Sequence, residues 1–425
     1  LHYLNCASSL LETNIRRTAH AQRLPFSLLN IMAKNNTIIK PALISWARKR
    51  LGMTEPDFAW AMKVAPDTVA AWERGNIALT MNQAKKLAAL SLLPLGVFFL
   101  DSPPSLEPEL PDFRTLHPDT LPEGSAELQA TIIAMQEKQA WYKAYMLENK
   151  LSAPTFVGSL KPQSDIAAAA KHIRKALQLR DDSSATTQNW EEHFSLLLQK
   201  TEDAGILVCR NAVVGNNTHR RLDVEEFRGF VLIDEYAPLL FINGNDSKNA
   251  QVFTLIHELV HVFLGNSALT DSEMMDAGEN PIEQFCNQVA AEFLLPEKQF
   301  VKEWKELRAN NMEENMLSLS KEFKVSKLVV IKRCRDLRLL PNEQTKELWK
   351  KAVDEINAYK NRPKAGGGNF FATLKYRVGV TFAQTVIAET AARRTPFTEA
   401  FYLLNVKNIE GLQKLSETLG TCTPG

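Results

Sequence analysis

The run FTLIHELVHVFLG, residues 253–265, constrains this chain more than any other stretch. Phe253, Leu255, Ile256, Leu259, Val260, Val262, Phe263 and Leu264 make a helix apolar nearly all the way round, and such a helix belongs inside a core. It nevertheless carries His257, Glu258 and His261, each costly to strip of water unless a partner compensates. The histidines are four residues apart, so on a helix both imidazoles leave one face a turn apart, the separation at which two nitrogens share one zinc ion. Glu258, one step round, is not on that line, and sits where a carboxylate acts as general base toward water on the metal. This is the physical content of the H-E-x-x-H pattern. The bland alternative is two helix histidines satisfied by backbone or carboxylate partners, but an apolar setting calls for a compensating charge, which a divalent cation supplies.

A hydrolytic zinc takes three protein ligands and leaves one position open. The acids downstream are Glu273, Asp276, Glu279, Glu283 and Glu292. Glu283 is favoured: it lies on PIEQFCNQVAAEFLLP (281–296), a helix bracketed by Pro281 and Pro296 whose apolar line is Ile282, Phe285, Cys286, Val289 and Phe293. Asn287 and Ala291, small and on the same side as Glu283, let that face approach the first helix. A solvated acid at the helix start is the competing reading of Glu283, with Glu292 the reserve ligand.

The whole chain excludes rather than specifies. With 50 Lys+Arg against 49 Asp+Glu, the net charge of +1 announces no nucleic acid, membrane or acidic substrate, so any such partner must be met locally. Five scattered cysteines (Cys6, Cys209, Cys286, Cys334, Cys422) form no C-x-x-C pair, which argues against a disulfide framework or a cysteine-based zinc site and for a reducing cytoplasm. The apolar run LAALSLLPLGVFFL (87–100) is too short for a bilayer and broken by Pro94. Residues 1–31 lack the order of a signal peptide. They are expected to be an over-extended or disordered N-terminus, with Met32 the true start.

At 425 residues there is room for two or three domains. The pattern predicts a multidomain, mainly α protein with a small α+β part. Helices over 41–100 precede a Pro/acid-rich linker at 101–118, and a helical connector spans 119–200. Strand signals follow in GILVCRNAVVG (205–215), FRGFVLID (227–234) and LLFING (239–244), inside a 201–300 core. LLFING, opening after Pro238, is expected to be an edge strand to which an extended substrate adds. A helical segment at 301–345 and a helical C-terminal region at 346–425, after the joint Gly366, Gly367 and Gly368, complete the chain. No internal repeat is present.

FRGFVLIDEYAPLLFINGNDSKNAQVFTLIHELVHVFLG followed by IEQFCNQVAAEFLLP resembles the ImmA/IrrE family of zinc metallopeptidases, over about residues 205–296. The resemblance implies a gluzincin-like α/β peptidase with His257, His261 and Glu283 as metal ligands and Glu258 as base. The family's second motif often reads Ala-Asn-x-Phe-Ala; Cys286-Asn287-Gln288-Val289-Ala290 stands here, and a small buried Cys for Ala is expected to keep the packing and leave the ligand assignment untouched. His219 and Tyr236 are candidates for steadying the tetrahedral oxyanion, each more readily read as a surface residue.

Residues 44–76 are similar to an XRE (Cro/C1-type) helix-turn-helix, closing on Trp72, Glu73, Arg74 and Gly75. Such a fold presents the start of its second helix, here Pro66, Asp67 and Thr68, to the major groove, a set poor in base-reading side chains. Phosphate contacts are expected from Arg48, Lys49, Arg50, Lys63 and Arg74; a protein-docking role is the alternative. LSKEFKVSKLVVIKRCRDLRLL (319–340) has a similar shape, with Lys321, Lys324, Lys327, Lys332 and Arg333 as basic residues, although its apolar spacing serves a core equally well. The expectation is a cytoplasmic zinc endopeptidase that cleaves a partner protein. By resemblance the substrate is a transcriptional repressor of a mobile element or stress operon. The alternative is a DNA-binding regulator or antitoxin-like protein whose metal site is structural or sensory.

Overall fold

The computed structural model describes residues 39–91, 93, 95–104, 124–180, 183–270, 280–307, 311–360 and 369–421. The expected N-terminal extension, most of the 101–118 linker, the triple-glycine joint, and Glu273, Asp276 and Glu279 lie outside them. The described residues are mainly helical, with one small four-stranded sheet. They fall into two compact units, one within residues 1–107 and one within 108–425.

The N-terminal unit packs α1 (Pro41–Arg50), α2 (Glu55–Met62), α3 (Pro66–Glu73), α4 (Met81–Ser91) and a 3-10 turn (Leu95–Phe99) around Leu43, Ile44, Phe58, Met62, Val69, Trp72, Leu87 and Phe98. Thr54 caps α2 by accepting from the Asp57 N–H, left-handed Lys63 (φ 55°) ends it, and Pro66 opens α3 where a helix tolerates a missing N–H. Two of the expected phosphate-binding residues serve this fold instead. Arg48 makes a bidentate pair with Glu73, Nε to Oε1 at 2.7 Å and Nη2 to Oε2 at 2.9 Å. Arg50 is buried, with Nη1 donating to the Ser91 carbonyl at 2.8 Å. Lys49, Lys63, Asp67 and Arg74 are exposed, and Thr68 is half-buried.

The second unit runs α5 (Ala126–Glu148), α6 (Ile166–Ala176), α7 (Trp190–Asp203), β1 (Leu207–Asn211), β2 (Gly229–Leu232), β3 (Leu239–Asn243), α8 (Lys248–Leu264) and β4 (Ala268–Thr270). It continues with α9 (Pro281–Leu294), α10 (Glu297–Glu306), α11 (Met312–Phe323), α12 (Lys327–Asp336), α13 (Asn342–Lys360), α14 (Phe370–Val378), α15 (Val380–Ala391), α16 (Phe397–Leu403) and α17 (Ile409–Leu419). The strand order is β1-β3-β2-β4, with β1 parallel to β3 and the other pairings antiparallel. Phe230 stands opposite Phe241 with stacked rings 4.9 Å apart, a cross-strand pair of the kind that pins register.

The strands read as continuous apolar runs because both faces of the sheet are covered. Val208, Val231, Leu240 and Ile242 point into one core with α6 to α9 and α11 to α13. Their alternates Leu207, Cys209, Phe230, Leu232, Leu239 and Phe241 point into a second core made with α5 and α14 to α17. The segments read from sequence as a separate connector (119–200), a helix-turn-helix-like piece (301–345) and a C-terminal region (346–425) therefore share cores with the sheet. LLFING is also not an edge. All five residues of β3 are buried between β1 and β2, and Pro238, just outside the ladder, is compatible with an interior strand. Among the described residues the edges are β1 and β4. Lys332 and Arg333, which a DNA contact would need at the surface, are buried against this unit.

Helix α8 is held at both ends. Ser247 caps it by accepting from the Ala250 N–H at 3.3 Å, which starts the helix before the apolar run. Gly265 closes it in the left-handed region (φ 72°), where a Cβ would also meet Gly158 Cα at 3.0 Å. That close approach lets the Gly158 and Leu160 N–H groups donate to the carbonyls of Val262 (3.2 Å) and Phe263 (2.8 Å), satisfying acceptors the helix end leaves over. Every residue of α8 from Ala250 to Leu264 is buried. Replacing one of its central leucines by alanine would cost roughly 2–5 kcal/mol.

Candidate metal centre

Helices α8 and α9 pack side by side, and what they bring together is polar. His257 Nε2 lies 3.2 Å from His261 Nε2 and 3.0 Å from Glu283 Oε2, while Glu283 Oε1 lies 3.3 Å from His261 Nε2. Asn280 accepts from the Ile282 N–H at 3.0 Å and Pro281 opens α9, which places Glu283 in the first turn. The imidazoles are buried and the Glu283 side chain is 22% exposed, so the cluster reaches solvent on the carboxylate side.

The far side of His257 decides what this cluster can hold. Its Nδ1–H donates to Asn287 Oδ1 at 3.1 Å, leaving a lone pair on Nε2. That lone pair faces a carboxylate oxygen and a second imidazole nitrogen. A proton reconciles only one such pair at a time; a cation in the middle reconciles all three. Ligand atoms ~2 Å from one ion in a tetrahedral array stand roughly 3.3 Å apart, the spacing found here. Burial raises the Glu283 carboxyl; protonated imidazoles at His257 and His261 would outweigh burial through hydrogen bonds and charge and hold it well below the usual range, the part a cation plays when the rings are neutral. The residues therefore fit a divalent metal, with Asn287 as the outer partner that orients His257.

Glu258 is wholly buried, one step round α8 from His257 and turned toward β2. A Cβ added to Gly229 would sit 2.9 Å from Glu258 Oε1, 2.8 Å from Thr254 Cγ2 and 2.9 Å from the Phe241 carbonyl. The absence of a side chain at Gly229 is thus what makes room for the carboxylate. Cys286 is the other neighbour. Its thiol lies within 4.8 Å of a ring nitrogen of each of His257 and His261, and burial, with Glu283 and Glu258 nearby, pushes the thiol up.

Residues 201–335 match the family model of peptidase M78, the IrrE N-terminal-like domain. The match covers His257, Glu258, His261 and Glu283. M78 peptidases are metal-dependent, so the match and the His-rich cluster agree on a metallopeptidase-type domain with a protein substrate. Residues 378–418 match a second model, DUF8813, a domain of unknown function. No curated protein matches the chain. Among the described residues, no helix is long and apolar enough to cross a membrane.

The other sequence-derived candidates lie elsewhere. Glu292 is ion-paired with Arg333 of α12 and accepts from the Glu297 N–H at 3.2 Å, so the reserve ligand is occupied in helix packing. His219 is exposed, and Tyr236 packs against the core on the sheet face opposite α8. Tyr236 is thus on the far side of the sheet from the cluster. The sequence assigns Asn287 and Cys286 to packing alone and gives no sign of Gly229. For Asn287 the signal was present, since it follows Glu283 by four residues and so shares its face of the helix.

Proposed function

We propose that this chain is a zinc-dependent endopeptidase that cleaves a partner protein, a transcriptional repressor, and that residues 41–100 are a helix-turn-helix that binds DNA. The observation that carries the catalytic reading is the His257, His261 and Glu283 triangle beside the buried carboxylate of Glu258. Zinc fits a donor set of two imidazoles and one carboxylate; when bound, such an ion polarises a peptide carbonyl and makes water acidic. His257, His261 and Glu283 would hold it, and Asn287 keeps the His257 Nε2 lone pair directed inward. Glu258 accepts the proton of the attacking water and returns it to the departing amine. Its packing on Gly229 limits the orientations open to it. An extended substrate would lie along β4, an edge strand among the described residues, which is next to β2 and hence to Gly229.

On the DNA side, Lys49, Lys63 and Arg74 remain as phosphate contacts once Arg48 and Arg50 are committed inside the unit. Asp67 and Thr68, at the start of α3, would face the groove. The competing reading, a DNA-binding or antitoxin-like regulator with a structural or sensory metal, shares every residue of the site except a working Glu258. Comparing new protein N-termini across the proteome of cells making the wild type or Glu258→Gln separates the two. Cleavage products confined to the wild type support the peptidase. Identical sets of termini, with equal metal content, support the regulator.

A further inference from the structure

Cys286 stands out among the described cysteines. Cys209 and Cys334 are buried with apolar neighbours, whereas Cys286 is fully buried beside the two metal-facing imidazoles. It follows Glu283 by three residues on α9, so its side chain leaves the helix about 60° round from the carboxylate, toward α8. Its Sγ lies within 4.8 Å of a ring nitrogen of each histidine, and tetrahedral zinc with a zinc–sulfur bond of ~2.3 Å holds a sulfur and a nitrogen roughly 3.6 Å apart, so binding would draw the sulfur inward.

Resting on the metal reading above, we infer that Cys286 is a further ligand of this centre. Its thiolate takes the fourth position, the one a hydrolytic site leaves to solvent, and so competes there with water and substrate. Three protein donors leave zinc open for hydrolysis, whereas four close it as in structural sites. A set of His257, His261, Glu283 and Cys286 therefore describes a resting centre, which opens when the sulfur is displaced. Soft thiolate also biases the site toward zinc over the harder divalent ions.

The test uses cobalt(II) as the probe on full-length, metal-stripped protein. The wild type should bind one cobalt per chain and show visible ligand-field bands together with an intense near-ultraviolet sulfur-to-cobalt charge-transfer band. Cys286→Ala should keep the ligand-field bands and lose the charge-transfer band, with zinc affinity tenfold weaker or more in competition with a chelator. Cobalt bound by the wild type without the charge-transfer band, or the band surviving in Cys286→Ala, would overturn the inference and leave the His257, His261 and Glu283 site standing. A wild type that takes up no cobalt would overturn both.

Discussion

Asn287 accepts a hydrogen bond from His257 Nδ1 at 3.1 Å, on the side of the ring away from Glu283. The bond fixes which nitrogen of His257 is free for a metal, so its loss should act on affinity. Asn287→Leu is expected to weaken zinc binding about 10–100-fold. Competition with a chromophoric chelator measures this, and unchanged affinity would remove Asn287 from the account.

Gly229 should tolerate no side chain. Gly229→Ala meets Thr254, Glu258 and the Phe241 carbonyl together, and overpacking of this kind costs roughly 1–3 kcal/mol. Part of the cost arises from the Glu258 carboxylate, so it should shrink when Glu258→Ala is added. A double-mutant cycle in urea would show a coupling of about 0.5 kcal/mol or more. Additive effects would mean that Gly229 is needed by the strand alone.

Glu202, at the end of α7, accepts from the Thr381 N–H at the start of α15 at 3.1 Å. Burial raises its carboxyl to about 7, against the pull of the Thr381 and Val380 N–H groups. Between the unfolded value near 4.5 and about 7 the folded chain therefore holds the extra proton. This contribution to stability is full below that window and is lost as pH rises through about 7. Glu202→Gln stays neutral and keeps an acceptor. It should gain on the wild type above pH 7 by up to about 3 kcal/mol and show no such gain near pH 4. Denaturation at the two pH values reads the difference, and equal gains at both would refute the burial argument.

The C-terminal helices should not be removable. Leu374, Val378, Phe382, Val386, Leu404 and Leu415 cover the sheet face formed by Leu207, Phe230, Leu239 and Phe241, and Trp141 of α5 meets Phe382 edge-on at 5.5 Å. Ending the chain at residue 368 would expose that face, and fully burying one such side chain is worth about 1.5–3 kcal/mol. The truncated protein is expected in the insoluble fraction. Recovery of a soluble, cooperatively folding product would show that residues 378–418 are a separable module.

The two site helices were legible because their signals are local. Pro281 and Pro296 bracket α9, the apolar run marks α8, and a four-residue spacing aligns His257 with His261. The sheet was legible as segments and not as an arrangement: a strand as short as LLFIN carries no sign of its partners, and β3 turned out to lie inside. Arg48 and Arg50 misled for the same reason. Their partners Glu73 and Ser91 are 25 and 41 residues away, and nothing adjacent distinguishes a basic residue that is paired inside from one facing solvent. Cys286 read as packing because its proximity to His257 and His261 exists only once α8 and α9 are side by side.

The most direct measurement is bound metal per chain, by elemental mass spectrometry, in protein purified without chelators, for the wild type, His261→Ala and Glu283→Ala. Close to one zinc is expected in the wild type and loss of most of it in both variants, with folding retained by circular dichroism. A wild type without metal, or variants that keep a full complement, would contradict a centre built from these residues.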